Sequence, residues 1–226
     1  MSTFYSQKGQ DQWVMSTLGY KRDGYFVDLA ASDGINLSNT YTMERSYGWN
    51  GLLIEPNPDF YNKCKQNRCS VVIDAVVDDT IGRLVSFRTD NMELGGIVAD
   101  DTDNSNEIRG HQLTTNSARI RNRTTTTLEQ LLLEHDAPRV IDYLSLDIEG
   151  AETRALRNFP FHLYTFLTIT IERPTEELEQ LLFKNEYHFV MKSKRMGFDS
   201  FYVHESIPGF DRIQFEVYES MPKKTW

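Results

Sequence analysis

The stretch Tyr25–Pro58, YFVDLAASDGINLSNTYTMERSYGWNGLLIEPNP, constrains this chain more than any other. It opens on an apolar run, Tyr25 to Ala30, too short for a helix and set between Gly24 and Gly34, which reads as a buried strand. Asp28 falls near the end of that strand. The chain then turns through Ala30, Ala31, Ser32, Asp33 and Gly34, small or turn-forming residues that let backbone approach a ligand. A helix is expected over about Leu37 to Tyr47, with Asn36 or Ser38 as its cap. Gly51 to Ile54 makes a second apolar strand that stops at Glu55, immediately before Pro56. Strand, small-residue turn, helix and strand with a terminal acid form the nucleotide half of a doubly wound fold.

A carboxylate at the end of the second strand can accept both hydroxyls of a ribose, while the turn after the first strand faces the rest of a cofactor. A dinucleotide would want G-x-G-x-x-G and a helix N-terminus free for pyrophosphate. This turn has one glycine, and Asp28 and Asp33 would repel a diphosphate. A cofactor with a cationic centre and no phosphates suits it better, and S-adenosylmethionine has that character.

Four blocks resemble the FkbM-type family of Rossmann-like methyltransferases. They are YSQKGQDQWV (Tyr5 to Val14), VDLAASDG (Val27 to Gly34), GWNGLLIEPNP (Gly48 to Pro58) and YLSLDIEGAE (Tyr143 to Glu152). The chain departs from the family pattern at Ala30, where a glycine is common. The resemblance implies a single domain over residues 1–226, a mostly parallel doubly wound α/β sheet of the class I methyltransferase type ending in an antiparallel hairpin, and O-methylation of a small hydroxylated acceptor. It also implies that the leader, residues 5–20, lies over the cofactor. The candidate cofactor contacts are Gln10, Asp11, Asp28, Ala30, Ser32, Asp33, Gly34, Asn39, Glu55, Pro56, Asp74, Ala75 and Asp147. The candidate catalytic residues are Asp147, with Glu172 or His111 as reserve base.

In chain order, Lys8 to Leu18 reads as a helix with an apolar stripe, and Phe60 to Gln66 as another. Cys69 to Val77 reads as a third buried strand, in which Asp74 must be hydrogen-bonded, either to an adenine edge or to a neighbouring backbone. Leu84 to Thr89 alternates like an exposed strand. A polar insert spans about 91–123, and within it Ala99 to Ser117 reads as a long loop able to cover a site. Thr127 is expected to cap a helix over Leu128 to His135. Ile141 to Leu146 is the fourth strand and ends on Asp147, at the edge where ligands bind in open parallel sheets, although a terminal Asp can also cap the helix that follows. Tyr164 to Glu172 is the fifth strand and again ends on an acid. A helix capped by Thr175, two strands at Tyr187 to Lys192 and Ser200 to His204, and an appendage over 206–226 complete the chain.

The formal net charge of −9 argues against nucleic acid and against anionic membrane surfaces. Arg119, Arg121 and Arg123 would share one face of a strand, either as a solvated face or as a rim for an anionic acceptor. No apolar run approaches the roughly 18 to 20 residues of a membrane span, and the N-terminus lacks the core of a signal peptide. Cys64 and Cys69 form neither a disulfide framework nor a metal spacing, and a reducing, cytoplasmic setting is expected. A metal requirement is left open. A nucleotide-binding oxidoreductase and a cofactor-binding module without turnover are the competing readings, the first disfavoured by the missing glycine motif.

Overall fold

The computed structural model describes residues 3–89, 92–105, 120–193 and 198–216. Its centre is a seven-stranded sheet built from β1 (Tyr25–Leu29), β2 (Asn50–Ile54), β3 (Val71–Ile73), β8 (Val140–Leu146), β9 (Thr165–Glu172), β10 (Tyr187–Lys192) and β11 (Asp199–His204). The strand order is β10-β11-β9-β8-β1-β2-β3, parallel from β3 through β9 and antiparallel where β11 meets β9 and β10. This is the expected doubly wound sheet closed by a hairpin. No helix among the described residues is long and apolar enough to cross a membrane.

Strand alternation explains the two cores. Val27, Leu29, Leu52, Ile54, Leu144 and Leu146 point to one face, where they meet α4 (Leu128–Glu134), α5 (Glu152–Arg157) and α6 (Glu176–Lys184). Phe26, Leu53 and Tyr143 point to the other, against α1 (Gln10–Thr17), α2 (Tyr41–Tyr47) and α3 (Pro58–Asn67). Asp28 and Ser145 are paired across β1 and β8 and, by the same alternation, share the second face. Caps set several helix starts: Asn57, Thr127 and Thr175 accept backbone N–H bonds from Asp59, Gln130 and Leu178 at 3.2 Å each.

Two expectations are corrected. The first helix after β1 starts at Tyr41 rather than Leu37. Asp33 Oδ1 takes the N–H groups of Ile35 and Asn36, and Leu37 sits at φ 57, so these residues form an open turn instead. The apolar run Cys69 to Val77 is two strands, not one. β3 belongs to the main sheet, and after Asp74 and Ala75 the chain enters β4 (Val76–Val77) of a second sheet. That sheet has the order β4-β7-β5-β6 and includes β5 (Leu84–Arg88), β6 (Gly96–Ile97) and β7 (Ile120–Thr126). The start of the polar stretch has neither helix nor strand, as expected of a loop, and Thr102, Asp103, Asn104 and Ser105 within it are all buried. Asp103 donates its N–H to Glu149 O at 2.9 Å, which docks this segment on the end of β8. Residues 106–119 lie outside those described, and His111 and Arg119 with them.

Candidate functional site

A cavity of about 360 Å³ opens at the carboxyl ends of β1, β2, β8 and β9. Of the expected contacts, Gln10, Asp28, Ala30, Ser32, Asn39, Glu55, Pro56, Asp147 and Glu172 line it, together with Gln7, Leu37, Asn57, Phe60, Phe87, Leu94, Ser145 and Glu149. Ala75 lines a narrow apolar recess next door with Leu29, Ile54, Pro56, Phe87 and Ile148. Asp11, Asp33, Gly34 and Asp74 are not among the lining residues. Asp11 is fully buried and accepts from the backbone N–H groups of Tyr5 and Ser6 and from the Thr42 hydroxyl, so it ties the leader to α2. Asp33 shapes the turn. Asp74 faces outward and is held by Arg123 at 2.5 Å.

The strand ends are conformationally unusual. Ala30, Ser32, Leu37, Glu149 and Arg173 all have φ between 46° and 68°, a region non-glycine residues seldom adopt, and all five lie at or beside the cavity. The Ala30 that departs from the family pattern thus has φ 68, the conformation a glycine would take.

At the β2 end, Glu55 is 5% exposed and each of its oxygens accepts one backbone N–H: Oε2 from Ser32 at 2.8 Å and Oε1 from Asn57 at 2.8 Å. Burial pushes its pKa up to about 8, partly offset by those two bonds and reinforced by Asp28 and Asp74. Asp28 accepts from Thr40 Oγ1 at 2.7 Å, and burial raises its pKa as well. Asn39 donates to Ser145 Oγ at 2.9 Å across the cavity floor.

At the β8 and β9 ends the carboxylates crowd. Leu146 pairs with Ile171, so Asp147 and Glu172 leave the sheet side by side. Oxygens of Asp147, Glu149 and Glu172 lie within 4.8 Å of one another, close enough to share a proton or a hard divalent cation. Burial, then Glu172, Glu149, Glu152 and Asp199, drive the Asp147 pKa well above the carboxylate range. Arg173 balances the group, its Nη2 lying 2.6 Å from Glu172, 2.7 Å from Asp103 and 3.6 Å from Glu149. From the leader, Lys8 Nζ sits 3.0 Å from Asp199 and 4.0 Å from Glu172, and Gln10 Nε2 donates to Asp199 at 2.6 Å. Asp147 does not cap α5. No side chain caps α5; Glu152 instead fixes the loop that leads into it, with Oε1 accepting from Ile148 N at 2.8 Å and Gly150 N at 3.2 Å.

Sequence reasoning did not find Ser145, Asn57, Phe87 or Arg173. Ser145 was findable, since it stands two residues before Asp147 on the same strand and so on the same face. Phe87 and Arg173 arrive through the second sheet and a strained turn, which no local pattern announces. Arg123 was expected either on a solvated strand face or on a rim for an anionic acceptor; its Nη1 donates to Pro56 O at 2.6 Å, bracing the loop after β2.

A search of curated proteins gives no match. Among solved structures the chain is similar to one titled "METTL16 MTase domain (crystal form 2)", with 10% identity and a TM-score of 0.46. That similarity covers 84% of this chain and 64% of the other, so the chain spans under two thirds of that neighbour's length. Residues 28–199 match the family model described as the methyltransferase FkbM domain, which runs from the acid in β1 to the first residue of β11 and takes in the cavity's carboxylates; the chain belongs to the FkbM methyltransferase family.

Proposed function

We propose that this FkbM-family chain is an S-adenosylmethionine-dependent methyltransferase acting on a hydroxyl of a small acceptor. The observation that carries the reading is the acidic make-up of the cavity wall, several carboxyl groups with Glu149 and Glu172 held by Arg173. Asp28, Glu55, Glu93, Asp147, Glu149 and Glu172 line it, and among the described residues no lysine, arginine or histidine lines it. Such a wall repels phosphates and suits a ligand bearing ammonium and sulfonium charges. That disfavours a dinucleotide-dependent oxidoreductase on this fold. The same wall favours a neutral or cationic acceptor over an anionic one.

Bound in the cavity, the cofactor supplies a methyl group on a sulfonium carbon. Glu55 would hold the ribose hydroxyls, with Asn57 and Ser32 fixing its two oxygens. Ser32, Asn39 and Gln10 line the wall between that end and the acceptor end. There Asp147, Glu149 and Glu172 would orient the acceptor hydroxyl and receive its proton, while Arg173 keeps the carboxylates from repelling one another apart.

Calorimetric titration with S-adenosylhomocysteine and, separately, NADH tests the cofactor reading. Binding of the first and not the second is expected, and the reverse result would end it. Single-turnover transfer of labelled methyl to a panel of hydroxylated acceptors then separates an enzyme from a binding module.

A further inference from the structure

We propose that Arg68 is the positioning residue for the cofactor-facing turn, fixing residues 34–40 from behind; this rests on the cofactor reading above. Arg68 follows α3, and its side chain is 0% exposed. A guanidinium is seldom buried so fully unless its donors are used. Here Nη1 donates to Gly34 O at 3.1 Å and to Ser38 Oγ at 3.4 Å, and Nη2 donates to Thr40 Oγ1 at 3.1 Å. Nε lies 3.2 Å from Glu44 Oε2, and the plane stands over the Phe26 and Tyr41 rings at 5.4 and 5.7 Å.

The contacts continue to the site. Thr40, held by Arg68, donates to Asp28, whose carboxylate forms part of the cavity wall. The stretch between the anchor points contributes Asn36, Leu37, Ser38 and Asn39 to that wall. This stretch is neither helix nor strand, and its other ties include the Asp33 turn, a bridge from Leu37 to Ser6 and the bond from Asn39 to Ser145 Oγ. Gly34 is what allows the approach. Its φ is +83, and a Cβ there would lie 2.8 Å from Arg68 Cγ and 2.9 Å from Cys64 Sγ. Arg68 also places a positive charge behind an acidic turn, offsetting part of the burial penalty on Asp28. Lysine cannot replace it, because one ammonium on a flexible stem does not span acceptors that a planar fork reaches together.

The test compares the wild-type chain with R68K and T40V, the second of which keeps Arg68 and cuts the link to Asp28. Hydrogen exchange without ligand should be at least tenfold faster over 34–40 in R68K, with β8 and β9 unchanged. S-adenosylhomocysteine should bind R68K at least tenfold more weakly, with T40V between the two. Wild-type exchange and affinity within twofold in R68K would overturn the proposal. If R68K does not fold, T40V decides alone: wild-type exchange and affinity in it overturn the proposal, and loosening of 34–40 with weaker binding supports it. Failure of the wild-type chain to bind S-adenosylhomocysteine would remove the cofactor reading, while the exchange comparison would still decide the fastening role.

Discussion

The backbone N–H of Ser32 donates to Glu55 Oε2 at 2.8 Å, so the turn after β1 and the acid that ends β2 form one unit. The bond closes the side of the cavity where a ribose would sit. Ala30 and Ala31 reinforce it from the same turn, their N–H groups donating to Ile54 O at 2.9 and 3.3 Å.

Glu55 should control cofactor affinity and make it depend on pH. E55A is expected to weaken S-adenosylhomocysteine binding at least tenfold, about 1.4 kcal/mol for one hydrogen-bonded charge contact. With its pKa near 8, Glu55 carries a proton at neutrality, and accepting two ribose hydroxyls favours the ionised form. Binding at pH 7 should therefore release a proton, seen as a buffer-dependent heat in calorimetry, and E55Q should abolish that dependence. Equal heats in two buffers of different ionisation enthalpy would count against the ribose assignment.

The same group sets a slope in stability. A carboxyl whose folded pKa lies above its unfolded value keeps, in the folded state, a proton that the unfolded chain has lost. Stability therefore falls as pH rises from about 4.5 to about 8. Glu152, raised to about 7, adds to the slope. Urea midpoints should drop across that window, and E55Q should flatten the drop without removing it. A midpoint that rises between pH 5 and 8 would contradict this.

How much was legible in the sequence follows from where the information is local. Asp28, Glu55, Asp147 and Glu172 each end or nearly end an apolar run in a doubly wound pattern, so their convergence could be read from the order of strands. Asp74 shows the limit. It sits in an equally apolar run, but that run divides between two sheets, and Arg123, which takes the carboxylate, comes from a strand 49 residues away in sequence. The burial of the turn Thr102–Ser105 was not legible for a related reason. Its polar residues look solvated, and only tertiary bonds such as Asp103 N to Glu149 O make them interior.

Ala30 should tolerate glycine and reject branching. At φ 68 an alanine is strained by roughly 1 kcal/mol, and glycine recovers part of this against its greater unfolded-state entropy. A30G is expected to melt at or up to a few degrees above the wild-type temperature with cofactor affinity retained. A30V should melt lower and bind more weakly. Calorimetric melting that places A30G several degrees below wild type would show the strain to be absent.

Asp103 should couple the second sheet's segment to the acceptor end. It is buried and sits 2.7 Å from Arg173, which also faces Glu149 and Glu172. Breaking a largely buried ion pair costs on the order of 3 kcal/mol, so D103A should lower the urea midpoint clearly. Affinity for S-adenosylhomocysteine should change little, because Asp103 does not line the cavity. Turnover should fall as Arg173 loses one of its three carboxylate partners and the other two shift. A variant with wild-type stability and turnover would make this pair a bystander.

Asp147 closes β8 beside Glu172 and faces the acceptor end of the cavity. Its carboxylate can do two separable things: orient the acceptor hydroxyl, or take its proton as the new bond forms. General-base help is typically worth about 10² to 10⁴ in rate, and alignment at least as much, so D147A should lose most turnover under either role. Asparagine separates them. Burial and three neighbouring glutamates drive the Asp147 pKa upward, which shifts this side chain toward the protonated form with one donor and one acceptor. An amide has the same shape and the same pair of functions without the basicity. The expected outcome is therefore partial rescue, with D147N at least tenfold above D147A in single-turnover rate on an acceptor the wild-type chain uses. Asn as inactive as Ala would assign Asp147 the base role instead, and near wild-type turnover in D147A would remove it from the active site altogether.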